Sequence, residues 1–174
     1  MQRASPTHRD DDLTKLVVSR RTSTEVERLA RAIEAAAAWL GPEIEAAPEG
    51  LRRYAATLRL RVSDKPRLVA FAKAAYLDFG AVRPLDAGWQ AEVGWRAASL
   101  APLFPVFSGT IVARGGEVTV SGWYAPPGGA IGRVADRVLL RIAAMRTARW
   151  LLDELIDAAT VPDAPLASSG GVAD

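Results

Sequence analysis

The chain has 174 residues, the size of one ordinary domain, and 49% of them are hydrophobic, enough to bury a sizeable core. The net charge is only +2 and acidic side chains are interleaved with arginine, so the concentrated positive face of a nucleic-acid binder is missing. Cysteine is absent, which excludes disulfides and thiolate chemistry and is compatible with a reducing cytoplasm.

The expected domain covers residues 13–159, between two polar, aperiodic tails at 1–12 and 160–174. The first tail holds Asp10-Asp11-Asp12 where a signal peptide needs an apolar run, and no stretch is apolar for the 18 or so residues that span a bilayer, so a cytoplasmic protein is expected. His8, the only histidine, also falls in that tail.

Leu13 to Ser19 is compatible with a short strand. Thr24-Glu-Val-Glu27 then has the spacing of a capping box and predicts a helix starting there, with Val26, Leu29, Ala30, Ile33, Ala37 and Leu40 on its buried face. Gly41-Pro42 ends it, because glycine suits the left-handed cap and proline cannot extend the hydrogen-bond ladder.

From Tyr54 to Tyr124 the period changes to alternation. Tyr54, Ala56, Leu58, Leu60 and Val62 form the apolar phase of one strand, and Trp89, Ala91, Val93, Trp95 and Ala97 that of another. Leu68 to Phe79 is a strand between them. Phe104 to Ala113 and Glu117 to Tyr124 form a final pair, joined at Arg114-Gly115-Gly116 as a tight hairpin, which favours antiparallel meander order.

After Pro126-Pro127-Gly128-Gly129, residues Ala130 to Ala158 predict one helix of about 29 residues, or about 43 Å. Its first half carries Ile131, Val134, Ala135, Val138, Ile142 and Met145, and its second half Leu151, Leu152, Leu155 and Ile156. On a helical wheel the two stripes differ by about a quarter turn, which places Arg149 at the seam between them.

The residues Phe104-Pro-Val-Phe-Ser-Gly109, Val120-Ser-Gly-Trp-Tyr-Ala-Pro-Pro127, Gly128-Gly-Ala-Ile-Gly132 and Asp136-Arg137 resemble the carboxy-terminal pattern of bacterial members of the START-like (SRPBCC) superfamily, most clearly over residues 104–156. The resemblance implies an α+β helix-grip fold, a curved antiparallel sheet wrapped around a long C-terminal helix with a mostly apolar cavity between them. It also implies binding of a lipid-like or polyketide-like molecule, or activity as a polyketide cyclase or aromatase. No catalytic motif of the superfamily maps onto these residues, so binding without catalysis is the expected function.

The expected cavity lining is Tyr54, Trp95, Thr110, Tyr124, Met145 and Arg149, with Tyr124 or Arg149 orienting a carbonyl if the chain is a cyclase. No cofactor is expected. No metal is expected, since the one acidic run lies in a tail. The Pro-Pro-Gly-Gly corner lacks both the spacing and the lysine of a phosphate loop and is read as structural. Arg133, Arg137 and Arg141 recur every fourth residue, a solvated ridge that could also contact an acidic partner or membrane surface.

Overall fold

A computed structural model describes residues 13–44, 47–61, 70–98, 106–125 and 135–161. The expectations for His8, Asp10 to Asp12, both tails, the corner at 126–129, Ile131, Arg133 and Val134 lie outside these residues. Side chains at 58–61, 70–73, 125 and 135–140 are likewise outside the description.

The chain folds as β1 (Thr14–Arg21), α1 (Val26–Glu34), α2 (Ala37–Leu40), β2 (Glu43–Ile44), β3 (Arg52–Arg61), β4 (Ala70–Phe79), β5 (Arg83–Leu85), β6 (Gly88–Ala97), β7 (Val106–Arg114), β8 (Glu117–Ala125) and α3 (Ala135–Thr160). One eight-stranded antiparallel sheet runs in the order β1-β8-β7-β6-β4-β3-β2, with β5 paired to β6. The predicted meander accounts for β3, β4, β6, β7 and β8, and β1 closes onto the last of these. The short strands β2 and β5 carry too few residues for alternation to be read in the sequence.

Alternation gives the sheet its two faces. Tyr54 and Ala56, then Ala75, Leu77 and Phe79, then Trp89, Ala91, Val93 and Trp95 are all buried on the face that meets the helices. Trp123 points the other way and is half exposed, as its phase opposite to Tyr124 requires. Gly115 and Gly116 both have positive φ, 59° and 75°, so β7 and β8 are joined by a two-residue turn whose handedness matches strand twist.

Two helical expectations change. The N-cap of α1 is Glu25 with no side-chain cap bond, so the capping box on Thr24 does not form. The Thr24 amide donates instead to Thr22 Oγ1 at 3.0 Å, and the Thr24 hydroxyl lies 3.5 Å from that of Thr160 at the end of α3. The predicted single helix also breaks after Glu34, so that Ala36 is buried and Ala37 exposed. The break has a partner in the sheet: Arg52 donates to the carbonyls of Glu34 at 2.7 Å and Ile33 at 3.3 Å, acceptors that a continuous helix would use itself. Gly41 closes α2, but at φ 103° and ψ −178° it is not in the expected left-handed cap geometry.

The core lies between the sheet and the helices. Leu29, Ala32 and Ile33 of α1 share one buried cluster with Ala144, Ala148, Leu151, Leu152, Leu155 and Ala159 of α3 and the inner residues of the strands. Trp89 fastens α1 to β6, its indole nitrogen donating to the Val26 carbonyl at 2.8 Å. Arg20 fastens α3 to β1, through Nε to Asp153 Oδ1 at 2.7 Å. The architecture is α+β and helix-grip: a curved antiparallel sheet with a long C-terminal helix laid across it.

Candidate functional site: an aromatic rung beneath the terminal helix

Strand register brings five inward side chains onto one line across the sheet. Tyr54 pairs with Leu77, Leu77 with Trp95, Trp95 with Phe107 and Phe107 with Tyr124. All five are at most 3% exposed. At the centre, Trp95 and Phe107 stack face to face, with centroids 3.9 Å apart and planes 12° apart. At one end, Tyr54 packs against Phe79, which in turn meets Trp39 of α2.

Small residues on both sides shape this rung. Towards β5, the next line is Phe79, Val93, Gly109, Gly122 and Leu16. A methyl group added at Gly109 or Gly122 would sit 2.8 Å from Cζ of Phe107, so the two glycines leave the gap in which the Phe107 ring lies down. On the other side, the line is Ala56, Ala75 and Ala97.

α3 packs against β1, β8 and β3, its C-terminal half tied by Arg20 to the end of β1 opposite the rung, and its N-terminal half leads away from that anchor. Along its buried stripe the side chains shrink in that direction, from Leu155, Leu152 and Leu151 to Ala148, Thr147 and Ala144.

Among the described residues Trp95 Nε1 and Thr147 Oγ1 are buried without a hydrogen-bond partner, as is one guanidinium nitrogen of Arg146. The contrast with two other tryptophans is informative, because Trp39 and Trp89 both donate to backbone carbonyls at 2.8 Å. A buried donor left unpaired costs about 1–3 kcal/mol, which an acceptor-bearing ligand would recover. Burial also pushes the Tyr54 phenol above its ordinary pKa and keeps it neutral.

Of the six expected lining residues, Tyr54, Trp95 and Tyr124 share the rung, and Met145 is half-buried on α3. Thr110 does not belong with them: it follows the inward Gly109 and so points to the outer face, its hydroxyl 3.4 Å from that of Ser121. Arg149 is exposed rather than at an inward seam. The expected rotation of the stripe treated Ile142 and Met145 as buried, whereas Ile142 is 40% exposed and the buried line runs through Ala144, Thr147 and Ala148 directly into Leu151. Phe107, Leu77 and Thr147 join the site. The available signals were the inward phase of Leu77 and a small-residue repeat in α3.

The outer face has its own polar cluster. Arg53 and Asp78 form a buried two-pronged ion pair at 2.6 and 2.8 Å, and hydrogen bonding to Asp78 holds the guanidinium above its ordinary pKa. The guanidinium carbons of Arg53 and Arg96 each lie 5.6 Å from the Tyr76 ring centre. Beside it, a depression of about 240 Å³ opens over Gly94 and Ser108, and a groove of about 660 Å³ lies between Trp39, Ala35 and Ala158. The first of these is also lined by Val93, Trp95, Phe107 and Gly109, whereas the second is lined by α1, α2 and the end of α3. Among the described residues no group of three or more side chains is placed to hold a metal ion. No helix of the described residues is long and apolar enough to cross a membrane. Arg141 of the basic ridge is exposed, and the Arg137 side chain is outside the description.

No protein-family model and no curated protein matches the chain. Among solved structures it is similar to the di-domain ARO/CYC BexL from the BE-7585A biosynthetic pathway, with a TM-score of 0.58 and 14% identity over 86% of this chain and 50% of that one. The chain thus spans about half the length of BexL. It is also similar to TTHA0849 from Thermus thermophilus, at a TM-score of 0.47 and 13% identity over 87% of this chain and 100% of that one. DynU16, from the dynemicin biosynthetic locus, has a TM-score of 0.35 and 18% identity, with 82% and 48% covered. The likeness to BexL shows a shared helix-grip fold.

Proposed function

We propose that the chain is a START-like protein that binds one small, largely apolar molecule between the aromatic rung and α3, in the cytoplasm and without catalysing a reaction. The observation that carries this reading is the buried, unpartnered indole N–H of Trp95 in the middle of a five-residue apolar rung. Flat rings at Trp95 and Phe107 supply dispersion contact and apolar area, and the indole nitrogen supplies one donor to an oxygen of the ligand.

Native mass spectrometry of the purified protein is expected to show a co-purifying small molecule. A neutral naphthyl ketone should bind the delipidated protein, and Trp95→Phe should weaken it about fivefold, the equivalent of one hydrogen bond of about 1 kcal/mol. Naphthalene itself, with no acceptor, should bind both proteins equally. If neither compound binds the wild-type chain, the reading is wrong.

A second reading, a polyketide aromatase or cyclase, draws support from the fold shared with BexL and from the Tyr124 hydroxyl at the end of the rung. Exposed Arg149 has no part in it. Conversion of a poly-β-keto thioester to a cyclised product, abolished by Tyr124→Phe, would select this reading over simple binding.

A further inference from the structure

We propose that two copies of this chain associate by pairing β1 with β1 across a two-fold axis centred on Val17, joining their sheets into one. β1 bonds to β8 along its whole length, from Thr14 to Arg21, while its other edge carries no strand among the described residues. At about 3.3 Å per residue, that leaves about 26 Å of peptide groups open to pairing.

Open edges are usually blunted by proline, a bulge, an inward charge or brevity. The opposite edge of this sheet follows the rule, since β2 has two residues. β1 is less guarded: it contains neither proline nor glycine, its register with β8 is unbroken, its central inward residues are Leu16 and Val18, and its one inward charge, Arg20, sits near its end and is drawn to Asp153 of α3. Its outward Val17 is 55% exposed, and Trp123 and Val106 on the same outer face are each 52% exposed.

The strand's own sequence argues for a second copy as the occupant. Directly paired residues lie on the same face, so a two-fold must pass through a residue rather than between two. Centred on Val17, the pairing sets Val17 against Val17, Leu16 against Val18, Lys15 against Ser19 and Thr14 against Arg20, and no cation faces another. Centred on Val18, it would set Lys15 against Arg21 twice, an unfavourable contact. The Val17 register keeps both apolar inner residues paired with apolar partners. It is also isologous, so it closes at the dimer.

Sedimentation of the purified chain over a wide concentration range is expected to show a reversible monomer–dimer equilibrium. Val17→Lys and Val17→Glu should each be monomeric, with circular dichroism and melting unchanged because the side chain lies outside the core. An equimolar mixture of these two variants should restore the dimer, an outcome that distinguishes self-pairing at Val17 from capture of an unrelated strand. Because the chain has no cysteine, Val17→Cys offers a second readout: the two thiols should join in a disulfide under mild oxidation, whereas those of Val106→Cys should not. A wild-type chain that stays monomeric throughout, or a Val17→Lys variant that still dimerises, overturns the proposal.

Discussion

Gly109 and Gly122 act as a matched pair, each leaving its side of β7 and β8 bare so that the Phe107 ring can settle between them and Trp95 can stack on top. A methyl at Gly122 would meet the Ser108 carbonyl as well as the Phe107 ring, so the collision involves backbone that cannot swing aside. Gly122→Ala is therefore expected to cost about 3 kcal/mol in chemical denaturation, at the upper end for overpacking, and to disturb the near-ultraviolet signal of the Trp95–Phe107 stack. A fully stable variant would show that the ring is not held by this gap. Alternation alone placed Tyr54, Trp95 and Tyr124 on the inner face. It could not put them on one line, because register across β4 and β6 is set by pairing that no local pattern encodes. Thr110 shows the complementary failure. A polar residue in a mostly apolar strand gives no phase of its own, and its outward direction follows only from the inward glycine before it.

Elements were legible where their ends carry local chemistry and less so where tertiary contacts set them. The Gly115-Gly116 hairpin and the Gly41 stop could be read directly, since both demand positive φ. The run Ala35-Ala36-Ala37-Ala38 has the highest helical propensity of any residue type, yet the helix breaks within it. Arg52, 18 and 19 residues away in sequence, captures the carbonyls that would carry the helix forward. Arg52→Met should cost about 1–2 kcal/mol, the worth of charge-assisted hydrogen bonds, and should increase protection of the Ala37 and Ala38 amides from hydrogen exchange as α1 and α2 merge. If protection at those amides is unchanged, the break has another cause. In α3 the sequence misled through size rather than polarity. Ile142 is larger than Ala144 but is 40% exposed, while Ala144 is fully buried.

Over the whole molecule, the buried rung couples stability to alkaline pH. Desolvation raises the Tyr54 phenol pKa in the folded chain, so the folded state keeps a proton that the unfolded chain releases. The associated stability is fully present below the free phenol's value of about 10. It is lost as pH rises from there through the higher folded value. A Tyr54→Phe variant should lack this portion of the alkaline loss when unfolding free energies are compared across that range. Superimposable alkaline limbs for the two proteins would mean that the phenol is solvated in the folded state.

The pairing of β1 with β8 sets an order of events during synthesis. Ser19 and Thr119, whose hydroxyls meet at 2.7 Å, are 100 residues apart, so β1 finds its neighbour only when β8 has emerged from the ribosome. Until then Leu16 and Val18 have no sheet to join, and closure of that long loop must precede any gain from their burial. The grip of the terminal helix comes later still, because Asp153 must be made before Arg20 can hold it. Closure of the sheet is accordingly a late and global event, in which β1 is completed by β8.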